Sequence, residues 1–112
     1  MINSYSFGSI KVNGKKFTRD LIIYPDKITL KWRRKEGHLL SECDIREVLE
    51  FRPEVLIAGT GAYGLMKVDN TLKEKLRNLG IEIIAIKTAG AVEKYNKIYK
   101  DKKVVCALHL TC

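Results

Sequence analysis

A chain of 112 residues with 46% hydrophobic and 30% charged residues carries enough apolar material for one core, and no room for a second domain. This composition excludes wholesale disorder, and no apolar run approaches the roughly 18 to 20 residues of a membrane-spanning helix. The formal net charge of +8 makes the long-range field positive and favours anionic partners, without saying anything about fold.

In chain order, Phe7, Ile10 and Val12 lead into Asn13-Gly14, a dipeptide that takes the positive φ values of a tight hairpin turn, with Phe17 beyond it. Leu21 to Tyr24 follow, then a turn at Pro25-Asp26-Lys27. Ile28, Leu30 and Trp32 then alternate with Thr29, Lys31 and Arg33, the period of two expected of a strand buried on one face. The first half therefore reads as an antiparallel meander. Ser41 and Asp44 form a capping-box pattern ahead of a short helix whose inner face is Ile45, Val48 and Leu49, closed by Pro53.

The second half changes period. Val55 to Ala58 is an apolar strand, Gly59 to Gly64 a loop, and Leu72, Leu76 and Leu79 mark a helix ending at Gly80, with its cap expected at Asp69 to Thr71, where Thr71 and Glu74 form a capping box. Ile81 to Ile86 is a second strand. Thr88 opens a helix with Ala91, Val92, Tyr95, Ile98 and Tyr99 on its apolar face, and Val104 to Leu110 is the last strand. The order βαβαβ, with strands apolar on both faces, predicts parallel strands covered by helices. Right-handed crossovers then bring the loops after Ala58 and Lys87 to the carboxyl end of the sheet, where open α/β sheets hold ligands.

Ala58 to Gly64 contains G-x-G-x-x-G directly after a strand, on its face a dinucleotide fingerprint. The next helix, however, begins about seven residues too late to meet a pyrophosphate, and Lys87 stands where an acidic residue would hold a ribose. A smaller anion held by the amides of Gly59 to Gly61 and those after Thr88 fits better. The plainer alternative is a set of tight turns that lets the loop pack beneath its neighbours. His38 and His109, the only histidines, lack metal-ligand spacing, so no metal and no cofactor are expected. Cys43 lies five residues from His38 with no third partner, and Glu47, Glu50 and Glu54 show no paired-carboxylate pattern, so no catalytic residue is assigned. The cluster Trp32-Arg33-Arg34-Lys35 has the composition of a nucleic-acid platform, but Trp32 alternates in phase with the core and a nucleic-acid role is not expected. Cys43, Cys106 and Cys112 have no CxxC spacing, so a reduced compartment is expected. MINSYSFGSIKV lacks the basic region and apolar core of a signal peptide, which leaves the cytoplasm as the expected location, with no membrane partner.

Across nearly its whole length the chain resembles the MTH938-like domains, in particular the archaeal prototype of that family. The resemblance rests on the order and spacing of Phe7-Gly8-Ser9-Ile10, Asp20, Trp32-Arg33-Arg34 with Gly37-His38-Leu39, Pro53-Glu54, Gly59-Thr60-Gly61, Gly80-Ile81-Glu82, Thr88, Ala91, Tyr95-Asn96 and Val105 to Leu108. It implies an α/β fold of three layers, with a mixed sheet, helices packed on it and an additional N-terminal antiparallel β layer, all within one domain spanning 1–112. Relatives include a mitochondrial factor that helps to assemble respiratory complex I and a cytoplasmic vertebrate protein linked to adipocyte differentiation, and the family supplies no catalytic residues. Its recurrent positions fall on Gly59, Thr60, Gly61, Thr88, Tyr95 and Asn96. Lys94 stands where relatives commonly carry threonine.

The expected function is a non-catalytic binding or assembly protein, engaging a protein partner through one of two surfaces. One is the strand-end edge, with Gly59 and Gly61 presenting amides, Thr60 and Thr88 hydroxyls, and Asn96 bridging the loops. The other is an exposed face at Arg33 and Arg34. The alternative is a small-anion or nucleotide-metabolite binding protein, or an enzyme, at the same edge. An uncovered sheet edge would favour a homodimer.

Overall fold

The computed structural model describes residues 1–112. Its first three strands, β1 (Ile2–Ser6), β2 (Ser9–Val12) and β3 (Lys15–Phe17), form a small antiparallel sheet. The β2–β3 turn is the expected one, with Asn13 at φ 48° and Gly14 at φ 84°, the two successive positive values that asparagine and glycine tolerate best. β4 (Leu21–Ile23) and β5 (Ile28–Thr29) then leave that sheet and pair antiparallel within a second one.

The second sheet carries the molecule. Its strand order is β5-β4-β10-β7-β9, where β7 is Val55–Thr60, β9 is Glu82–Ile86 and β10 is Val104–His109. β10 runs parallel to β7 and antiparallel to β4, and β7 runs parallel to β9, which makes the sheet mixed. Every residue of β7 and β10 is buried, as their unbroken apolar runs require of strands covered on both faces. β9 is an edge strand, and Glu82, Ala85 and Ile86 remain exposed there.

Helices α1 (Arg46–Phe51) and α2 (Asn70–Asn78) cover one face. On that side Ile45, Val48, Leu72 and Leu76 pack with Leu56, Ala58, Val105 and Ala107. Helix α3 (Thr88–Ile98) and the β1–β3 sheet cover the other face, where Ala91, Val92, Tyr95, Ile2 and Ile10 pack with Ile57, Cys106 and Leu108. The apolar spacings read from the sequence for α1 and α3 are the faces that are buried. A two-residue parallel pair, β6 (Leu39–Leu40) with β8 (Lys67–Val68), ties the approach to α1 to the approach to α2.

Three local expectations are corrected. The strand through Ile28 stops at Thr29 because Lys31 turns left-handed at φ 53°, so Leu30 is 53% exposed while Trp32 is buried. The first β–α loop begins later than expected, since β7 continues to Thr60 through the pairs Leu108↔Gly59 and His109↔Thr60. Helix α2 is capped within the expected stretch, at Asp69, but without the Thr71 capping box, because Asp69 N–H donates to the Leu40 carbonyl at 2.9 Å and holds the chain extended up to that residue. By contrast, the Ser41 and Asp44 capping box is present, on a 3-10 turn at Glu42–Asp44 that precedes α1.

Beyond apolar packing, one side chain hydrogen-bonds the N-terminal sheet to α3. Asn96 Oδ1 accepts the Ile2 amide at 2.9 Å, and Asn96 Nδ2 donates to the Ile2 carbonyl at 2.7 Å. Replacing Asn96 with alanine removes both bonds and should cost about 1–2 kcal/mol. Urea unfolding should register that loss, and hydrogen exchange should quicken at Ile2 before it quickens in β10.

Candidate functional site at the carboxyl end of the parallel strands

Thr60, Ile86 and His109 end the three parallel strands on the same side of the sheet. The loops after β7 and β9 meet there. Thr88 N–H donates to the Gly61 carbonyl at 3.1 Å, and Gly61 N–H donates back to Thr88 Oγ1 at 2.9 Å. The same hydroxyl donates to the His109 carbonyl at 2.6 Å, so one fully buried threonine joins the ends of β7, β9 and β10.

Gly59 is glycine for steric reasons. A Cβ there would lie 2.7 Å from Leu108 Cδ2 and 3.0 Å from Thr88 Oγ1, closer than packing allows. Gly61, at φ +103°, would drive a Cβ to 2.6 Å from the Cys112 carbonyl oxygen. The loop's polar groups are turned inward as well: Ala62 N–H donates to the Thr111 carbonyl, and Gly64 N–H donates to the Gly61 carbonyl.

These contacts sort the expected edge residues. Gly59, Thr60, Gly61 and Thr88 do come together. The amide of Gly61 and the hydroxyl of Thr88 are bonded to each other, which corrects their assignment as ligand donors. Asn96 lies eight residues along α3, about 12 Å from its start at 1.5 Å per residue, and clasps Ile2 instead of bridging the loops. Thr60 alone lines open space. It borders a cavity of about 190 Å³ shared with Gly64, Met66, Lys67, Val68, Lys73 and Ala85.

The expected basic face also divides. Arg33 is exposed and lines a second cleft of about 250 Å³ with Thr18, Arg19, Asp20, Lys31, Trp32 and Thr111. Arg34 is not a surface residue: its side chain is 5% exposed. Its Nη2 lies 3.0 Å from Asp20 Oδ2, its Nε donates to the Gly37 carbonyl, and its guanidinium sits 4.8 Å over the Trp32 ring.

Asp20, Arg34 and His109 form a largely enclosed polar cluster that local reading of the sequence misses. Asp20 Oδ2 lies 2.8 Å from His109 Nδ1, and Asp20 Oδ1 accepts the Leu110 amide at 2.8 Å. Arg34 Nη2 also lies 3.0 Å from His109 Nδ1. That ring nitrogen has a single in-plane direction, so the consistent assignment sends Nδ1–H to Asp20 while Arg34 donates to the same carboxylate. His109 Nε2 and Arg34 Nη1 are buried without a partner in the chain. His38 and His109, widely separated in sequence, have ring centroids 6.1 Å apart. The available signal was His109 itself, a polar residue in an otherwise apolar buried strand, which calls for a partner.

Two larger concavities lie away from the strand ends. One, of about 560 Å³, lies between α1 and α2 among Glu42, Arg46, Glu50, Arg52 and Lys75. The other, of about 550 Å³, lies by Tyr24, Tyr95 and Tyr99. Neither gathers groups of one charge or an acid–base pair suited to chemistry. Burial also raises the Tyr95 phenol to about 12 and pushes the Cys106 thiol up, which makes both inert packing groups.

A family model described as "Protein of unknown function (DUF498/DUF598)" matches residues 2–109. The chain belongs to that family. Solved structures agree with the assignment. The conserved hypothetical protein PH1505 from Pyrococcus horikoshii OT3 is 26% identical, with a TM-score of 0.85 over 100% of this chain and 99% of that one. The protein titled MT938 is also 26% identical, with a TM-score of 0.83 over 100% and 98% of the two chains. A Mth938-like domain from Bordetella pertussis shares the fold at 20% identity, with a TM-score of 0.65 over 97% and 84%. The MTH938-like resemblance read from the sequence is therefore correct, and such domains occur in archaea and bacteria alike.

Two substitutions separate structural from surface roles here. Thr88→Val keeps the shape but strands the Gly61 amide and the His109 carbonyl, and should lower stability by about 1–3 kcal/mol, whereas Thr88→Ser should retain most of it. Arg34→Gln removes a charge-assisted contact to Asp20, whose carboxylate keeps the Leu110 amide and His109 Nδ1, and should cost about 1.5–3 kcal/mol. The neighbouring Arg33→Gln should change stability by no more than about 0.5 kcal/mol. Chemical unfolding of the four variants side by side checks all of these values.

Proposed function

We propose that this protein is a non-catalytic binding or assembly protein that docks an acidic protein surface on the strand-end edge. The observation that carries this reading is where its exposed apolar side chains lie. Of six large exposed hydrophobic residues, Phe7, Tyr63, Leu65 and Ile86 surround the strand ends, leaving only Met1 and Leu30 elsewhere. Phe7 and Tyr63 are 57% and 66% exposed, with ring centroids 6.1 Å apart. Isolated exposed apolar residues need no explanation, but a gathered group with two aromatics has the composition of an interface anchor.

Charge supports the choice of partner. Arg19, Lys31 and Arg33 line the cleft that reaches Thr111 on one side, and Lys67, Lys73 and Lys87 stand on the other. None of these six joins the ion pairs of the chain, which use Lys27, Arg34, Lys75, Arg77 and His109. An apolar centre between two basic flanks matches a partner with an apolar pocket inside an acidic rim. The inward-turned amides of the glycine loop favour this reading over anion capture by that loop.

The test uses partners captured from native lysate and then titrated as purified proteins. Phe7→Ser with Tyr63→Ser should weaken a genuine partner by about 30-fold or more, as loss of an aromatic anchor worth about 2 kcal/mol requires. The thermal midpoint should stay close to that of the parent. Arg33→Glu with Lys87→Glu should weaken binding and flatten its dependence on salt. Affinity unmoved by both double variants would overturn the proposal.

A further inference from the structure

We propose that the cavity walled by Thr60, Lys67 and Lys73 is a binding site for a small oxyanion of phosphate size. It is separate from the glycine-loop amides, which are already bonded within the chain, and it does not rest on the docking reading.

The fold builds this cavity where the chain doubles back at the end of β7. Met66 N–H donates to the Thr60 carbonyl at 3.1 Å, which folds the returning segment against the strand it has just left. β8 then pairs with β6, and α2 begins at Asn70, which sets Lys73 one turn into the helix, where it lines the same cavity as Thr60. Ala85 of β9 lines another wall with a side chain too small to fill it. Gly64, at φ +72°, keeps the wall thin: a Cβ there would meet Lys87 Cγ at 3.3 Å and stand 3.6 Å from Thr60 Oγ1. Residues from β7, its loop, β8, α2 and β9 thus converge on one space at the carboxyl ends of parallel strands, the place where open α/β sheets hold ligands.

The chemistry of the walls selects the ligand. Lys67 and Lys73 line the cavity and form no ion pair within the chain, and Thr60 beside them carries a hydroxyl that can donate or accept. No acidic residue lines the cavity. Lysine binds phosphate as a point charge and needs no planar geometry from its ligand. At about 190 Å³ the space is smaller than the roughly 300 Å³ at which pockets begin to hold drug-sized molecules. That size suits phosphate, sulfate or a short carboxylate and rejects a nucleotide.

The experiment is a titration of the full chain with inorganic phosphate, at ionic strength held constant with sodium chloride, followed by amide NMR. Saturable shifts are expected at Thr60, Gly64, Lys67, Lys73 and Ala85. Lys67→Gln with Lys73→Gln should weaken binding at least tenfold, Thr60→Val severalfold, and Lys97→Gln on α3 not at all. Acetate in a parallel titration distinguishes a site for phosphate-like anions from one for carboxylates, and saturation by either supports an oxyanion site. The chain carrying Phe7→Ser and Tyr63→Ser should bind phosphate as the parent does, so docking and anion binding can fail separately. The proposal is overturned if shifts do not saturate with either anion, if they spread equally over Lys94 to Lys103, or if the lysine double variant binds as tightly as the parent.

Discussion

The Thr88 hydroxyl, bonded at once to the Gly61 amide and the His109 carbonyl, is the contact on which the strand-end architecture depends. Parallel strands need crossovers, and nothing in a crossover by itself fixes where its two ends finish. Thr88 fixes them: it starts α3, holds the loop after β7 and closes on the last residue of β10. Gly59 leaves room for this contact, since a Cβ there would overlap Leu108 Cδ2 at 2.7 Å and press on Thr88 Oγ1 at 3.0 Å. A glycine and a threonine separated by 29 positions thus act as one joint.

His109 is held twice at this joint, its carbonyl by Thr88 and its ring by Asp20. The result is a polar layer where two apolar cores end. Burying Arg34 with Asp20 is not in itself a route to high stability, because removing two charges from water costs about as much as their attraction returns. What the cluster provides is definition. It anchors the segment after β5 to the start of β4 and the end of β10, and it stacks Arg34 over Trp32. With its polar groups turned inward, the edge presents aromatic and basic side chains to the solvent.

The helices and strands were legible because their signals are local. Ile45, Val48 and Leu49, or Ala91, Val92 and Tyr95, lie within a turn or two of each other, and their spacing alone names the buried face. The parallel arrangement of β7, β9 and β10 followed from unbroken apolar runs alternating with helical periods. The errors occurred where a neighbour decided the outcome. Leu30 kept the alternating pattern, yet Lys31 took a left-handed turn and released it to solvent. Thr71 matched a capping box, but pairing of β6 with β8 set the N-cap at Asp69, the first residue of the stretch expected to hold it, and the helix start at Asn70. Asn96 was expected beside the loops, and distance along α3 put it against Ile2.

From its sequence alone this chain is determined to be a basic α/β protein of the MTH938-like kind, with Gly61 and Thr88 brought to one end of a parallel sheet, because periodicity and connection rules act over short stretches. Only the tertiary structure decided what those residues do. Arg34 sits in a run of exposed charge and nevertheless has its side chain enclosed, since it meets Asp20 and His109, 14 and 75 positions away. Contacts across such separations leave no trace in local spacing, and whether a side chain faces water or its own chain is settled by those contacts.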